Sequence, residues 1–452
     1  MLIRRGCGIL LHPTSLPGPF GIGGMGSAAR DFVDFLEEAG QGWWQVLPSG
    51  PVDGAFDNSP YMSLSAFAGN PLLIDPVILQ GEGLLSAGQL AACPGFSEYL
   101  VDYQAVTACK GKLLEHAFLE FCAVGGSTSF SEFRAVTPWL DDYSLFCALR
   151  EEFASQPWFR WPKDIARREP AALAHWRERL AGRIQFHSFV QYCFFSQWRA
   201  LRGYAHSHGV GIIGDIPIYV ALDSADVWAH QECFLLDPAT GEPTHVAGVP
   251  PDYFSETGQR WGNPLFRWYD DGGALHAGLL SWWVQRFHQT FLTVDVVRID
   301  HFRGFESFWR IPASEETAVR GEWVSGPGEA FFAALHNKVG DLPIIAEDLG
   351  VITPEVEALR KGLGFPGMKV LQFAFDGDSQ NLYLPHNYTS SNCVVYTGTH
   401  DNDTTLGWFF SDKVSPVAKD KALRYAHSQE GSPVHWDLLR LAYGSIAALA
   451  VV

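Results

Sequence analysis

The sequence has little charge, and few of its charged residues are basic. Charged residues make up 18% of the 452 residues, with 32 lysines and arginines against 50 aspartates and glutamates, a formal net charge of −18. Proteins that bind nucleic acid usually carry a basic balance or a basic patch, so a nucleic-acid partner is not expected. Disorder is excluded as well, because hydrophobic residues make up 47% of the chain and can bury enough apolar surface to offset the ordering entropy.

Long apolar segments and paired cysteine motifs are also lacking. The longest apolar stretch, 445–452, is far shorter than the roughly 20 residues of a membrane helix. The N-terminal apolar run is too short for a signal-peptide core. The eight cysteines form no Cys-x-x-Cys pair and no zinc-binding spacing, so we expect small buried thiols in a reducing compartment. These absences predict a cytoplasmic protein with no membrane partner, no metal and no cofactor.

Short apolar runs that end in a polar or turn residue recur along the chain, most of them followed by a helical pattern. Their continuous apolar character suits parallel strands that are buried on both faces. Eight such runs with helices between them favour an α/β fold of the (β/α)8 TIM-barrel type over a doubly wound sheet. The predicted strands are 8–11, 44–47, 211–215, 294–300, 343–347, 368–373, 392–397 and 447–452.

The spacing of these runs is uneven and predicts insertions within a single catalytic barrel over residues 1–452. The gap between the second and third runs is far longer than one barrel helix requires. Helical patterns broken by turns predict a mainly helical inserted subdomain at 76–180. A second excursion, 237–269, is rich in glycine, proline and aromatics and shows no clear period. It predicts a functional loop beside the active-site cleft.

Acidic residues mark the ends of the predicted strands. Asp215, Asp300 and Glu347 each close an apolar run, and Asp401 follows another closely. Any one of them could be a helix N-cap or a salt-bridge partner, but barrel enzymes place their chemistry at these strand ends. Arg298 lies two residues before Asp300, on the same face of a strand, where it favours the ionised form that a nucleophile needs. Two carboxyl groups flanking one bond meet the requirement for glycoside cleavage.

Two further patterns accompany the carboxylates. Aromatic side chains at 43, 44, 61 and 261 suit a carbohydrate site, although core packing is the favoured interpretation of the Trp43–Trp44 pair. The pattern G-x-G-x-x-G at 21–26 resembles a dinucleotide-binding turn. However, nine residues separate it from the preceding predicted strand, and no acidic residue ends the next strand, so we do not predict a dinucleotide site.

Long ordered motifs carry a resemblance to one family, the amylomaltases, also called 4-alpha-glucanotransferases or disproportionating enzymes. The resemblance implies retaining transfer of 1,4-alpha-glucan segments on an alpha-amylase-like barrel. Maltodextrin or starch-like glucans would be donors, and glucose or maltooligosaccharides would be acceptors. The motifs include PTSLPGPFGIGGMG (13–26), NSPYMSLSAFAGNP (58–71), GDIPIYVALDSADVW (214–228), GVPPDYFSETGQRWGNPLF (248–266), VVRIDHFRGFESFW (296–309), IIAEDLGVITPEV (344–356) and TGTHDNDTTLGW (397–408).

The resemblance also implies roles for individual residues. Asp300 corresponds to the nucleophile, Glu347 to the general acid/base and Asp401 to a third carboxylate that stabilises the transition state. The loop 248–264 resembles a flexible lid beside the cleft. Matches to substrate-binding positions around the reacting glucose and along the groove are Arg298, His400, Asp215, Tyr61, Ser59, Gln259, Trp261 and Asp376.

One departure from the family leaves alternatives open. The family continues past its last barrel strand, whereas this sequence ends at LAYGSIAALAVV, within the predicted eighth strand. We therefore expect the C-terminal closing segment to be missing from this chain. A catalytically weak glucan-binding protein and an alpha-glucan hydrolase stay as alternatives to the transferase. An unrelated sugar-metabolising barrel would usually need a metal or phosphate site, and the sequence indicates neither.

Overall fold

Eight parallel strands form a barrel in the computed structural model, which describes residues 4–252, 255–429 and 431–452. Seven of the eight neighbour contacts around the barrel are paired strands, including the last strand with the first, and within the described residues only the fifth and sixth strands lack ladder pairing. A backbone hydrogen bond from Ala346 N to Pro366 O, 2.9 Å long, bridges the fifth and sixth barrel strands. The barrel strands are β1 (Gly6–Leu10), β2 (Trp43–Gln45), β3 (Gly211–Pro217), β6 (Val296–Asp300), β9 (Ile344–Ala346), β10 (Gly367–Val370), β11 (Cys393–Tyr396) and β12 (Leu449–Val451).

The predicted TIM-barrel class is confirmed by this topology. Every predicted apolar run overlaps one barrel strand, and the ends differ by a few residues. The largest difference is at the sixth run, where the chain leaves the sheet after Val370 and continues as a 3-10 helix, Leu371–Phe373. Side chains from the strands fill the barrel interior, among them Ile213, Met368 and Tyr396. Trp44 is fully buried and donates its indole N–H to Leu11 O at 2.7 Å, so it is a core residue.

Helices surround the barrel, and several of them bury one apolar face. In α1, for example, Ala29, Val33 and Leu36 recur at helical spacing and are fully buried, while the intervening positions are mostly exposed. The α-helices are α1 (Ser27–Glu38), α2 (Pro76–Gly81), α3 (Ala87–Ala91), α4 (Tyr103–Ala123), α5 (Thr128–Val136), α6 (Leu140–Glu152), α7 (Lys163–Ala166), α8 (Pro170–Arg179), α9 (Ala181–Ser207), α10 (Ala225–Ala229), α11 (Ala277–Thr293), α12 (Gly328–Val339), α13 (Pro354–Gly362), α14 (Thr405–Phe410), α15 (Pro416–Tyr425) and α16 (Val434–Gly444).

The long connection between β2 and β3 contains α2 to α9. Helices α2 to α8 fall within the segment 76–180, and α9 leads from it back into the barrel. The treatment of 76–180 as a separate subdomain stays a prediction. A buried arginine joins this segment to the loops above the barrel through two ion pairs: Arg150 on α6 contacts Asp223 and lies 3.0 Å from Asp53. Asp223 follows β3 and also accepts the backbone N–H of Trp158 at 3.1 Å.

Replacing Arg150 with methionine should destabilise the fold by about 3 kcal/mol, because two largely buried carboxylates lose their cation. Denaturation in urea measures this change. Arg160→Met is the matched control, since Arg160 joins the same part of the chain to Glu242 in an exposed pair, and such pairs contribute about 1 kcal/mol or less. Equal losses for the two variants would contradict the assigned role of Arg150.

A second, antiparallel sheet stands beside the barrel. Its strands β4 (His245–Val249), β5 (Gln259–Pro264), β7 (Ser307–Pro312) and β8 (Glu322–Ser325) pair in the order β5-β4-β7-β8. The excursion 237–269, expected to be a loop, therefore contains two strands. Its sequence shows no strand period because neither strand has one buried and one exposed face: three consecutive residues of β4 are buried, and β5 is exposed at its start and buried at its end. The extent and role assigned to 237–269 stay predictions.

The expectation that all cysteines are small buried thiols is wrong for part of the set. Cys93 and Cys109 form a disulfide, with their Cα atoms 6.1 Å apart, and Cys122 is exposed. Spacing did not reveal the pair, because the turn after α3 brings Cys93 back onto the first turns of α4.

In the three described ranges, no helix is long and apolar enough to cross a membrane.

Candidate active site at the carboxyl ends of the barrel strands

A buried arginine joins two carboxylates at the mouth of the barrel. Arg298 donates from Nη1 to Asp215 Oδ2 at 2.6 Å and from Nη2 to Asp300 Oδ1 at 2.9 Å. The register of β3 against β6 sets Asp215 beside Arg298, and the two-residue period of β6 puts Asp300 on the same face as Arg298. The side chain of Asp215 is fully buried, whereas that of Asp300 is 32% exposed. Asp300 is therefore charge-compensated and still accessible to a substrate.

Tyr61 connects this arginine network to the far side of the barrel. Its hydroxyl donates to Asp215 Oδ2 at 2.6 Å and lies 2.6 Å from His400 Nε2, and the two rings stack with centroids 5.3 Å apart. Burial and the charge of Asp215 raise the pKa of Tyr61 well above its usual value, so the phenol keeps its proton. Because that single proton goes to Asp215, the His400 contact requires Nε2–H to donate to Tyr61. This fixes the orientation of His400.

Glu347 follows β9 and is held by two backbone N–H groups. His301 N donates to Oε2 and Leu349 N donates to Oε1, each at 2.8 Å. His301 has a left-handed backbone conformation (φ 54°, ψ 48°), uncommon for a residue other than glycine, which turns the chain directly after Asp300. Burial and the neighbouring charge of Asp300 raise the pKa of Glu347 to about 7. Glu347 can thus carry a proton near neutral pH, as a general acid must.

Asp401 lies on a short loop beyond β11. Its side chain is 67% exposed, and its Oδ1 is 3.3 Å from His400 Nε2. The loop is shaped by Asn402, whose Oδ1 accepts from the backbone N–H and the hydroxyl of Thr399 at 2.9 and 3.0 Å. Asp401 is therefore presented to solvent on the His400 side of the mouth, where it is free to hold hydroxyl groups of a ligand.

Trp261 on β5 joins the second sheet to the loop that follows Asp300. Its ring meets that of His301 edge-on, with centroids 4.8 Å apart, and its indole N–H donates to Gln259 Oε1 at 3.1 Å. His301 is the residue after Asp300, so this contact joins β5 to the turn that follows the candidate nucleophile. The predicted lid, 248–264, includes the end of β4 and all of β5, and its residues 253 and 254 lie outside the described residues.

The other two predicted binding residues lie farther from the carboxylate network. Ser59 accepts the backbone N–H of Tyr61 at 3.3 Å, so it shapes the loop that carries Tyr61. Asp376 is exposed, and its carbonyl accepts from Asn381 at 2.9 Å. Within the described ranges, neither side chain forms a hydrogen bond or an ion pair with Asp300, Glu347 or Asp401. Their assignment to a glucan groove stays a prediction.

Sequence reasoning missed three residues at this mouth. His12, just past β1, is 8% exposed, and burial together with the charge of His400 lowers its pKa to about 4, which keeps it neutral. Gln45 ends β2 and accepts the hydroxyl of Tyr396 at 2.9 Å. His301 orients Glu347 through its backbone. Position at a strand end was a usable signal for His12 and Gln45; the role of His301 depends on its backbone angle. Among the described residues, no cluster of three or more His, Cys, Asp or Glu side chains could hold a metal ion.

Comparison with known proteins agrees with this geometry. The family model for 4-alpha-glucanotransferases matches residues 11–452. The chain belongs to this family. It is 51% identical to the 4-alpha-glucanotransferase of Synechocystis, covering 100% of this chain and 89% of that protein. It is 50% identical to the 4-alpha-glucanotransferase of Thermus thermophilus, covering 100% of this chain and 90% of the other.

Solved structures lead to the same 4-alpha-glucanotransferase family. The amylomaltase from Streptococcus agalactiae, solved in complex with acarbose, superposes with a TM-score of 0.93 at 39% identity, covering 99% of this chain and 89% of that chain. The resemblance inferred from the motifs is therefore confirmed. Family membership favours the transferase over the glucan-binding protein and the hydrolase.

Proposed function

We propose that this chain transfers 1,4-alpha-glucan segments from donor to acceptor by a retaining double displacement, with Asp300 as nucleophile and Glu347 as general acid/base. The observation that carries the proposal is the combination of an accessible Asp300 held by Arg298 with a Glu347 whose pKa is raised to about 7. Two carboxyl groups in such different environments are what a retaining glycosidic reaction requires. The supporting frame is a 4-alpha-glucanotransferase family barrel.

In the first step, an Asp300 oxygen forms a bond to the anomeric carbon of the donor sugar. The bond from that carbon to the glycosidic oxygen breaks, and the Glu347 proton moves to this leaving oxygen. The products are a glycosyl ester on Asp300, a released shorter glucan and an ionised Glu347. Arg298 stabilises the carboxylate before the attack, because it contacts Asp300 through a charge-assisted hydrogen bond.

In the second step, Glu347 takes a proton from an acceptor hydroxyl, and that oxygen attacks the anomeric carbon while the ester bond to Asp300 breaks. An acceptor sugar gives transfer and water gives hydrolysis, so the outcome depends on which oxygen reaches the ester. Trp261 packs against His301, the residue that follows Asp300, and an aromatic face at that position suits an acceptor sugar and excludes water. We assign the acceptor side of the cleft to β5 on this ground.

The remaining side chains bind the reacting sugar and its neighbours in this proposal. Asp401 faces the exposed side of the mouth, next to His400, whose orientation Tyr61 fixes. Asp401 and His400 would hold sugar hydroxyl groups as charge develops on the reacting sugar. Ser59, Gln259 and Asp376 would lie farther along the groove. Maltodextrins or starch-like alpha-glucans are the proposed donors, with glucose or maltooligosaccharides as acceptors. A cytoplasmic location is part of the proposal, and fractionation of the producing cells tests it.

Maltotriose tests the reaction type. We expect glucose to appear together with maltodextrins longer than three units, because a maltosyl ester is passed to another maltotriose. Chromatography of the products, followed over time with and without added glucose, measures the transfer. Glucose and maltose without elongation would contradict transfer and favour the hydrolase. Calorimetric binding of maltotriose with no product at high protein concentration would favour a catalytically weak glucan-binding protein.

A further inference from the structure

A buried arginine outside the carboxylate network ties together the two loops that hold Glu347. Arg303 lies in the 3-10 helix Phe302–Phe305, directly beyond β6, and is 8% exposed. Its Nη1 donates to the carbonyl oxygen of Val351, on the loop that follows β9. Arg303 lies two residues after His301, and Val351 lies two residues after Leu349. The contact thus joins the loops close to both N–H groups that hold the Glu347 carboxyl.

These contacts form a closed frame around the carboxyl group. One side is the N–H of His301 on Oε2, and the opposite side is the N–H of Leu349 on Oε1. Backbone contacts join the same two segments near the strands: Glu347 N donates to Ile299 O at 3.1 Å, and Phe302 N donates to Glu347 O at 3.2 Å. Arg303 closes the frame at its outer end, where Val351 is otherwise 64% exposed.

The second sheet supplies the surface on which the Arg303 guanidinium rests. Its central carbon lies 4.0 Å from the centroid of the Trp323 ring on β8, in a cation–π arrangement. Trp323 is in turn packed edge-on against Trp309 of β7, with centroids 5.3 Å apart. A planar guanidinium can stack on an indole and donate in its own plane at the same time, which a lysine ammonium cannot do. Stacking therefore fixes the direction in which Arg303 donates.

We propose that Arg303 is a positioning residue for the acid/base Glu347, holding the loops that contain His301 and Leu349 against each other. The proposal rests on the proposed function, because it presumes that Glu347 donates the proton. Arg303 itself touches none of the reacting atoms. It acts through Val351 and the two backbone N–H groups.

Loss of the frame should change the pKa of Glu347 in a defined direction. The two N–H donors stabilise the ionised form of Glu347 and so lower its pKa, against burial and the charge of Asp300. When the loops separate, these donors weaken, and the pKa of Glu347 rises above about 7. The charged and titratable groups that act on Glu347 are Asp300 and Arg298 of β6 and the protonated phenol of Tyr383. The neutral His301 ring follows Asp300 in the chain, and Asp348, with its partners Arg360 and Lys369, follows Glu347. These groups stay in place in an Arg303 variant. Burial and the charge of Arg303 both lower the pKa of His301, so loss of that charge lets this pKa rise.

Three variants and a matched control test this role in the full chain. Arg303→Met removes the donor and the charge, Arg303→Lys keeps the charge, and Trp323→Leu removes the stacking surface while leaving the arginine. Arg310→Met is the control, because Arg310 lies on β7 of the same sheet and pairs with Glu322. Steady-state transfer with maltotriose is measured against pH, and hydrogen exchange is followed in the peptide covering 347–353.

We expect Arg303→Met to lower kcat about tenfold with KM little changed, because the acid is misaligned rather than the substrate lost. The alkaline limb of the kcat/KM profile should move up by about half a unit to one unit. Exchange in 347–353 should accelerate. Trp323→Leu should show the same changes to a smaller extent, Arg303→Lys should recover part of the loss, and Arg310→Met should leave the profile unchanged.

A lower melting temperature with an unchanged pH profile and unchanged exchange in 347–353 would overturn the proposal, since Arg303 would then be merely structural. If Arg303→Met does not fold, Trp323→Leu and Arg303→Lys decide the matter by the same two readouts. Failure here is separable from failure of the proposed function. An inactive Glu347→Gln variant beside an unaffected Arg303→Met variant refutes the positioning role alone, whereas an active Glu347→Gln variant refutes the acid/base assignment itself.

Discussion

Asp300→Asn should lower the rate of transfer from maltotriose by about four orders of magnitude. An amide oxygen is a poor nucleophile and cannot form the glycosyl ester, while its size preserves the contact with Arg298. The amide would still accept the Nη2 hydrogen bond that measures 2.9 Å in the native chain. We therefore expect folding and maltotriose binding to survive, so that kcat falls and the dissociation constant changes little. Quenched-flow product analysis and calorimetry measure the two quantities.

Asp295→Asn is the matched control at the other end of the same strand. Asp295 accepts the backbone N–H of Ile212 at 2.8 Å and pairs with Arg202, far from the mouth of the barrel. Its loss should reduce stability but leave the turnover of the folded protein within about twofold. An Asp300→Asn variant that kept full activity, or that failed to bind maltotriose while the control bound it, would refute the nucleophile assignment.

Glu347→Gln should lower turnover of maltotriose by about three orders of magnitude, because a glutamine side chain cannot protonate the leaving oxygen. For the native chain, activity should decline as pH rises through about 7, where Glu347 loses its proton. This alkaline limb should vanish in the variant. A maltosyl fluoride donor, whose leaving group needs little protonation, should restore the first step. Unchanged activity with maltotriose, or no rescue by the fluoride, would contradict the acid role.

Glu347 should also affect the free energy of unfolding, and the sign of this effect follows from its raised pKa. Burial and Asp300 move the pKa of Glu347 from 4.5 in the unfolded chain to about 7 in the folded one. Both states are protonated below pH 4.5, so the group has no effect there. Between pH 4.5 and about 7 this group is ionised in the unfolded chain but still protonated in the folded one, so stability falls across that window by up to about 3 kcal/mol and stays level above it. Glu347→Gln should therefore stabilise the protein more at pH 8 than at pH 4, as thermal denaturation at the two values would show.

The barrel could be predicted because its signals are local in the sequence. A parallel strand that is buried on both faces has a continuous apolar sequence. All eight predicted runs correspond to barrel strands. The carboxylates could be found for the same reason. Asp215 and Asp300 occupy strand ends in the sequence, and closure of the barrel brings those ends to one rim. The contact between Arg298 and Asp300 needs only the two-residue period of a strand.

What the sequence determined by itself is the barrel, the rim that carries the chemistry and, through its motifs, the family. Only the tertiary structure decided which distant segments meet there. It joined Tyr61 to Asp215 and His400, paired β4 with β7, formed the Cys93–Cys109 disulfide and set Arg303 on Val351. The physical reason is that strand and helix periods are encoded within a few residues. Contacts between distant segments depend instead on the register and packing of the whole chain, which no local pattern records.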